Sequence, residues 1–407
     1  MKRFAIWFLV LVVLAAAVSA VHKIYDLRYL YRIYIKREFA INPKAEIRPD
    51  RVYKVRIWYY PYKRVITKEG KDEKEFFKEV AKEVERKYPN IQLKIGRLDF
   101  RKGRATLDRA LKAGDPPDIY FNFSNQPYIT KKLQVPAHLY LTREDYELLP
   151  PFMEEGRLWG FPFLIERQVW LARNNLPGLA EPVLTINRFD DLKDDSLILN
   201  YYDPTLLLQL LSLYGISDIE YNGKTLDNKT LEALRAVFKL AHNLRQAKIY
   251  GKAGQVDITM LKSFFQGKTV LLGPVNPWLK EVLSNRLSDS IVEVKLDNLV
   301  RVYTLTIFRQ EPYRGDDHTK AAVEVARIIA QKKAYIMASD LGLIPAFRMK
   351  KEVEQSGDIS IDRYKPVITL TPEERDYWYK NIIPLWVQFW EDNLSPEEAL
   401  ATIIKNN

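Results

Sequence analysis

The sequence predicts an α/β chain divided into two domains. Two observations carry this. At 407 residues and 47% hydrophobic composition, the chain is too long for one ordinary core and rich enough to fill two. Along its first third, period-2 and period-3.6 apolar patterns alternate as strand, helix, strand, helix, strand, the order that builds a largely parallel sheet.

Val55, Ile57 and Tyr59 alternate with Lys54, Arg56 and Trp58, which predicts a strand closed by Pro61. Asp72 and Glu75 form a capping box for a helix whose apolar face carries Phe76, Phe77, Val80, Ala81, Val84 and Tyr88, with Pro89 as its stop. Ile91, Leu93 and Ile95 alternate again. A helix over 105–113 ends at Gly114, a glycine C-cap, and Asp118 to Phe123 is a compact strand. Further on, Leu231, Leu234, Phe238 and Ala241 recur at helical spacing. Thr371 with Glu374 and Ser395 with Glu398 are two more capping boxes. The helix over 372–392 contains Pro384 and should kink there. Its Trp378, Trp386, Phe389 and Trp390 read as a core stripe in preference to a binding surface.

Composition excludes several functions. There is no cysteine, hence no disulfide, thiol nucleophile, thiolate metal site or lipidated lipobox. The net charge of +11 reads as a Lys-rich surface, because 52 acidic residues are interspersed with the basic ones and no nucleic-acid-binding motif accompanies them. The four histidines, His22, His138, His242 and His318, are scattered, so neither a metal nor another cofactor is expected. No Gly-x-Ser-x-Gly elbow, phosphate-cradling Gly-Lys-Ser/Thr loop or His-Glu-x-x-His motif occurs. The carboxylate pairs Asp115/Asp118 and Asp190/Asp191 are the only hint of glycoside chemistry, and closeness in sequence is not the cleft geometry that chemistry needs. The chain reads as not an enzyme.

Lys2 and Arg3 precede an apolar run from Phe4 to Val21. Its 18 residues just span a hydrocarbon core of roughly 30 Å at about 1.5 Å per residue. Val18-Ser19-Ala20 has the small residues of a signal-peptidase site. Residues 1–21 are therefore a signal peptide or a helical membrane anchor, with Tyr25, Tyr29, Tyr31 and Tyr34 following as interfacial aromatics do. Residues 22–51 read as a linker, polar over 38–51 with Pro43 and Pro49.

Six segments, in order, resemble the family 1 extracellular solute-binding proteins of ABC importers, the maltose-binding group. They are Ile57-Trp58-Tyr59-Tyr60 with the helix ending Tyr88-Pro89-Asn90-Ile91; Ala110-Leu111-Lys112-Ala113-Gly114-Asp115-Pro116-Pro117-Asp118-Ile119; Glu155-Gly156-Arg157-Leu158-Trp159-Gly160-Phe161-Pro162; Phe264-Phe265-Gln266-Gly267-Lys268-Thr269-Val270 with Pro277-Trp278; Leu343-Ile344-Pro345-Ala346; and Ser395-Pro396-Glu397-Glu398-Ala399-Leu400. The sequence departs from the family pattern at Ala172-Arg173-Asn174, at Phe189-Asp190-Asp191-Leu192 and over Tyr303 to Gln310.

The resemblance implies a two-lobed periplasmic-binding-protein fold with an interlobe cleft and hinge crossovers. It places lobe 1 at 52–163 plus 300–347 and lobe 2 at 164–299 plus 348–407, with crossings near Pro162 to Glu166 and Val294 to Tyr303. It implies a small-molecule ligand, carbohydrate by family default, and importer permease subunits as partners, without nucleic acid. Aromatic faces and fixed polar groups suit a sugar. The candidate ligand-binding residues are Tyr59, Tyr60, Tyr62, Asn122, Ser124, Glu166, Trp170, Trp278 and Arg348. Glu166 sits in a segment like the maltose-type hinge; an ion pair with a neighbouring arginine is its other reading. Arg348 would suit a carboxylated sugar. The implied location is the outer face of the cell membrane, anchored by residues 4–21, or secreted or periplasmic after cleavage at Ala20. A positive-inside count over Lys23, Arg28, Arg32, Lys36 and Arg37 opposes that orientation, and the resemblance is given precedence over it. A membrane-tethered sensor or surface-binding module on the same fold stays open as the alternative function.

Overall fold

The computed structural model describes residues 19, 26–37, 40–60, 73–99, 102–123, 129–130, 132–141, 160–173, 183–184, 197–199, 201, 204–216, 219, 221–223, 225–246, 271–275, 291–341, 343–346, 365–366, 368, 370, 372–391 and 394–406. The apolar run from Phe4 to Val21 lies almost wholly outside them, and among the described residues no helix is long and apolar enough to cross a membrane.

Asp26 caps the first helix, α1 (Leu27–Leu30), by accepting from the N–H groups of Arg28 and Tyr29. The helix continues as a wider π-type turn over Tyr31–Ile35. The expected linker is not a free tether in its described part. Ala40 and Asn42 are buried, and Ile41 and Ile47 pack against the first core. Tyr29 Oη donates to Asp316 Oδ2 at 2.6 Å, Asn42 N–H to the same oxygen at 3.2 Å, and Lys320 Nζ to the Ala45 carbonyl at 2.6 Å. A polar stretch reads as a linker only until its few apolar residues find a groove; here they do, and 26–51 forms a strap.

In β1 (Tyr53–Tyr59) the odd-numbered side chains are buried and Lys54 is exposed, the predicted alternation. The helix α2 (Glu73–Lys87) lays Phe76, Phe77, Val80 and Val84 on that sheet. β2 (Ile91–Arg97) pairs parallel with β1. α3 (Gly103–Lys112) ends where Gly114 takes φ +71, and the Asp115 N–H returns to the Ala110 carbonyl at 2.9 Å. β3 (Ile119–Asn122) pairs parallel with β1 on its other side.

The chain then crosses. β4 (Phe161–Arg173) leads to β5 (Val183–Leu184), β6 (Leu197–Leu199), α4 (Pro204–Leu213), α5 (Asn228–Gln246) and β7 (Leu271–Val275). β8 (Ile291–Ile307) returns to α6 (Asp316–Ile328), which runs through a π turn at Ile329–Lys333 into α7 (Ala334–Leu341). Short strands β9 (Ile344–Pro345) and β10 (Lys365–Pro366) precede α8 (Pro372–Tyr377), α9 (Ile383–Glu391) and α10 (Pro396–Asn406).

The described strands share one sheet in the order β2-β1-β3-β8-β4-β7-β6, with β5 and β10 beside β8 and β9 beside β4. It is mixed, contrary to the largely parallel expectation. The centre is antiparallel because β4 and β8 traverse the molecule in opposite directions. Among the described residues two large separate cores result, beside a small cluster of Leu98, Leu107, Tyr120, Leu133 and Phe308. One holds β1, α2 and α6 with Phe161, Phe163, Leu164, Ile165, Val300 and Leu305. The other holds α4, α5 and the C-terminal helices with Trp170 and Ala172. Along β4 the change of core falls between Ile165 and Trp170. The β4–β8 register slips there too: Arg167 faces Val300 but Val169 faces Lys295. Of the β8 residues passed over, Leu296 pairs with Leu184 and Leu299 with Lys365. A broken ladder between two cores is where a hinge costs least.

Candidate functional site

At the waist, β4 and β8 carry a buried polar cluster. Glu166 is 4% exposed and faces Arg301 across the ladder. Tyr303 Oη donates to Glu166 Oε2, and Arg301 Nη1 lies 3.7 Å from the same oxygen. Strand alternation puts Arg301 and Tyr303 on one face, so both reach one carboxylate. Burial, and then the adjacent Glu166 carboxylate, push the Tyr303 phenol well above its ordinary pKa, so it stays a hydrogen-bond donor. Its ring packs on Phe123, with centroids 5.0 Å apart. Asn122 ends β3 directly opposite Thr304, and both are buried. The waist thus gathers a carboxylate, a guanidinium and a phenol on one face of the sheet, with the Asn122 amide on the other. Such a set can accept from and donate to hydroxyl groups while an aromatic face covers a C–H surface.

Of the sequence candidates, the structure sets Glu166 in this cluster, while Asn122, paired with Thr304, lies on the opposite sheet face from Arg301 and Tyr303. It puts three others elsewhere. Tyr59 is 7% exposed and wedged against Phe77 and Phe121, with ring centroids 4.5 and 6.3 Å away, because its inward position in the β1 alternation makes it core. Tyr60 packs edge-on against Tyr120 and over Gly103, where a Cβ would come within 2.6 Å of its ring. Trp170 is fully buried in the second core, on the far side of the β4 change of core. Tyr62, Ser124, Trp278 and Arg348 lie outside the described residues. Arg301 and Tyr303 were not among the candidates. Their period-2 spacing was visible, but their pairing to Glu166 depends on a register that only the sheet supplies.

Asp118 lies just before β3, at the opposite end of that strand from Asn122, and is fully buried. Its Oδ1 accepts from Gln310 Nε2 at 2.6 Å and lies 2.9 Å from His318 Nε2. Its Oδ2 accepts from the Arg56 N–H at 2.7 Å. Asp115 is bound by the Arg56 guanidinium at the surface, at 2.6 Å. These carboxylates tie β1, β3 and α6 together and do not face a common cleft. Asp190 and Asp191 are outside the described residues. Among the described residues no group of three or more His, Asp or Glu side chains could hold a metal ion.

No family model matches the sequence, and no curated protein sequence matches it. Solved structures do. The maltose/maltodextrin-binding domain from Bdellovibrio bacteriovorus bound to maltotriose superposes with a TM-score of 0.59 at 16% identity, over 87% of this chain and 98% of that one. An ABC substrate-binding protein from Listeria monocytogenes in complex with cycloalternan gives 0.57 at 14%, over 88% and 98%. A family 1 extracellular solute-binding protein from Bifidobacterium longum subsp. infantis gives 0.61 at 13%, over 88% and 99%. The fold is therefore the periplasmic-binding-protein fold these proteins share, as the ordered sequence motifs led us to expect.

Proposed function

We propose that this chain is an extracytoplasmic carbohydrate-binding protein that hands its ligand to an ABC-type importer and makes or breaks no covalent bond in it. The observation that carries the reading is the buried Glu166–Tyr303–Arg301 cluster, set on the two strands that join separate cores. Hydroxyl groups entering between the lobes can exchange hydrogen bonds with this cluster, and contacts made from both lobes stabilise only the closed state. The proteins of like fold bind maltotriose and cycloalternan, which makes gluco-oligosaccharides the first class to try. Glu166, Arg301 and Tyr303 form the proposed inner contact set; Asn122, Tyr62, Ser124, Trp278 and Arg348 are its proposed outer members.

The test is thermal unfolding against linear and cyclic gluco-oligosaccharides and uronates. A ligand at 100 times its Kd should raise stability by about 2.7 kcal/mol, and Glu166→Gln should remove most of that gain. An unmoved transition across the panel, or sugar fragments appearing in the mixture, would overturn the reading. A membrane-tethered surface receptor is the second reading. The docking of Tyr29, Asn42 and Ala45 onto α6 favours it, because the chain that follows the apolar run in sequence is held against the first core.

A further inference from the structure

We propose that the helix formed by α1 and its π turn, Leu27–Ile35, is a membrane-surface element that seats in the headgroup layer of an anionic bilayer and fixes lobe 1 against it. This inference rests on its own geometry and not on the identity of the ligand.

The helix has two apolar faces. One is turned to the protein: Tyr29, Leu30 and Ile33 are half-buried, and Tyr29 Oη is bound to Asp316 at the start of α6. The other faces out. Leu27, Tyr31, Tyr34 and Ile35 are 53%, 52%, 69% and 68% exposed. They make up four of the ten large apolar side chains exposed among the described residues, on one short helix. Their i, i+4, i+7, i+8 spacing gathers them into a stripe. Scattered exposed leucines need no explanation, but a contiguous aromatic and aliphatic stripe marks a surface that something covers.

The occupant follows from what borders the stripe. Arg28, Arg32 and Lys36 run beside it and, with Leu27 and Tyr31, line a shallow groove. Lys36 Nζ stands 5.9 Å over the Tyr31 ring, where the π turn brings residue i+5 into line. Cations beside tyrosines and aliphatic side chains are the pattern of a helix lying in a lipid headgroup layer, with cations on phosphates and apolar groups at the acyl boundary. The sequence immediately upstream agrees: the 18-residue apolar run ends at Val21, five residues before Asp26 caps the helix. A protein partner would not account for both the cation border and that adjacent run.

The position has a consequence for motion. Asp316 and Asp317 bind Tyr29 and the Tyr53 hydroxyl at the first residue of β1, whereas the waist lies beyond the other end of the lobe 1 strands. Seven residues of β1 span about 20 Å. Lobe 1 would be the fixed body on the membrane, and lobe 2 the one that swings.

Because the chain has no cysteine, one introduced thiol is a unique label site. Tyr34→Cys carrying an environment-sensitive fluorophore is placed in the full chain and reconstituted in equimolar phosphatidylcholine–phosphatidylglycerol vesicles, with Lys239→Cys on lobe 2 as reference. The expected result is blue-shifted emission at position 34, quenched by nitroxide lipids, with water-like emission at 239. Adding Arg28→Glu and Lys36→Glu should weaken the quenching by about fivefold per charge in the anionic vesicles and much less in pure phosphatidylcholine. Water-like, unquenched emission at 34 in the reconstituted protein would overturn the proposal. So would a blue shift that needs no lipid, since another protein surface or a second copy would then cover the stripe. Neither outcome bears on the sugar panel.

Discussion

Glu166 accepts a hydrogen bond from Tyr303 and is ion-paired with Arg301, so removing it costs more than one hydrogen bond. Tyr303 would stay buried without its acceptor, and the half-buried Arg301 would lose the carboxylate beside it. Glu166→Ala should therefore destabilise the ligand-free protein by about 3 kcal/mol, the usual scale for orphaning a buried charge. Tyr303→Phe, which removes one hydrogen bond and no charge, should cost about 1.5 kcal/mol. Chemical denaturation checks both, and equal effects would mean the carboxylate is solvated. Glu166 was legible in the sequence through its hinge-like segment. Arg301 and Tyr303 were not, because no local pattern tells a strand which partner it will face. Tyr59 teaches the opposite lesson. The alternation that predicted β1 already placed Val55, Ile57 and Tyr59 on one inward face, and that argued against reserving Tyr59 for ligand. Trp170 could not be placed in the same way, since the change of core along β4 is a tertiary event.

At the scale of elements, local signals were the most readable. Gly114 takes the left-handed conformation expected of a C-cap. The Ser395–Glu398 capping box closes reciprocally, with Ser395 N–H to Glu398 Oε2 at 2.8 Å and Glu398 N–H to Ser395 Oγ at 3.2 Å. The kink foreseen at Pro384 takes the form of a π turn over Trp378–Ile382, leading into α9. Proline has no N–H to return and its ring crowds the carbonyl four residues back, and a widened turn relieves both. The aromatic stripe that follows is core: Trp386 is fully buried and donates Nε1–H to the Tyr201 carbonyl at 2.9 Å. Trp386→Ala should cost about 3–5 kcal/mol in denaturant unfolding, with ligand binding changed only as far as lobe 2 loosens. In lobe 1, α2 is tied to the π turn after α6 by Glu83, whose carboxyl is pulled from 4.5 to about 2 by hydrogen bonds from Arg86 and Lys332. A depressed carboxyl stabilises the fold fully above its unfolded value, and that contribution fades as pH falls through about 2. Glu83→Gln should accordingly flatten the acid limb of the stability curve between about pH 4.5 and 2 and leave its shape above that range unchanged. An unaltered acid limb would place the tie in solvent.

On the scale of the whole molecule, the α/β class and the binding-protein fold could be read from ordered motifs, while the mixed sheet and the docked strap could not. Both depend on contacts distant in sequence, such as Ile119 with Ile307 and Tyr29 with Asp316. The proposed function rests on motion between the bodies those contacts define. On that proposal, the slipped register where β4 and β8 leave one core for the other is the compliant part, and each core is a rigid body. The direct measurement is the distance between lobes. Lys94→Cys on β2 and Lys239→Cys on α5, labelled as an energy-transfer pair in a chain with no other thiol, should report a saturable change in distance as a gluco-oligosaccharide is titrated, with the sugar recovered intact. A transfer efficiency that stays constant while sugar demonstrably binds would contradict the account.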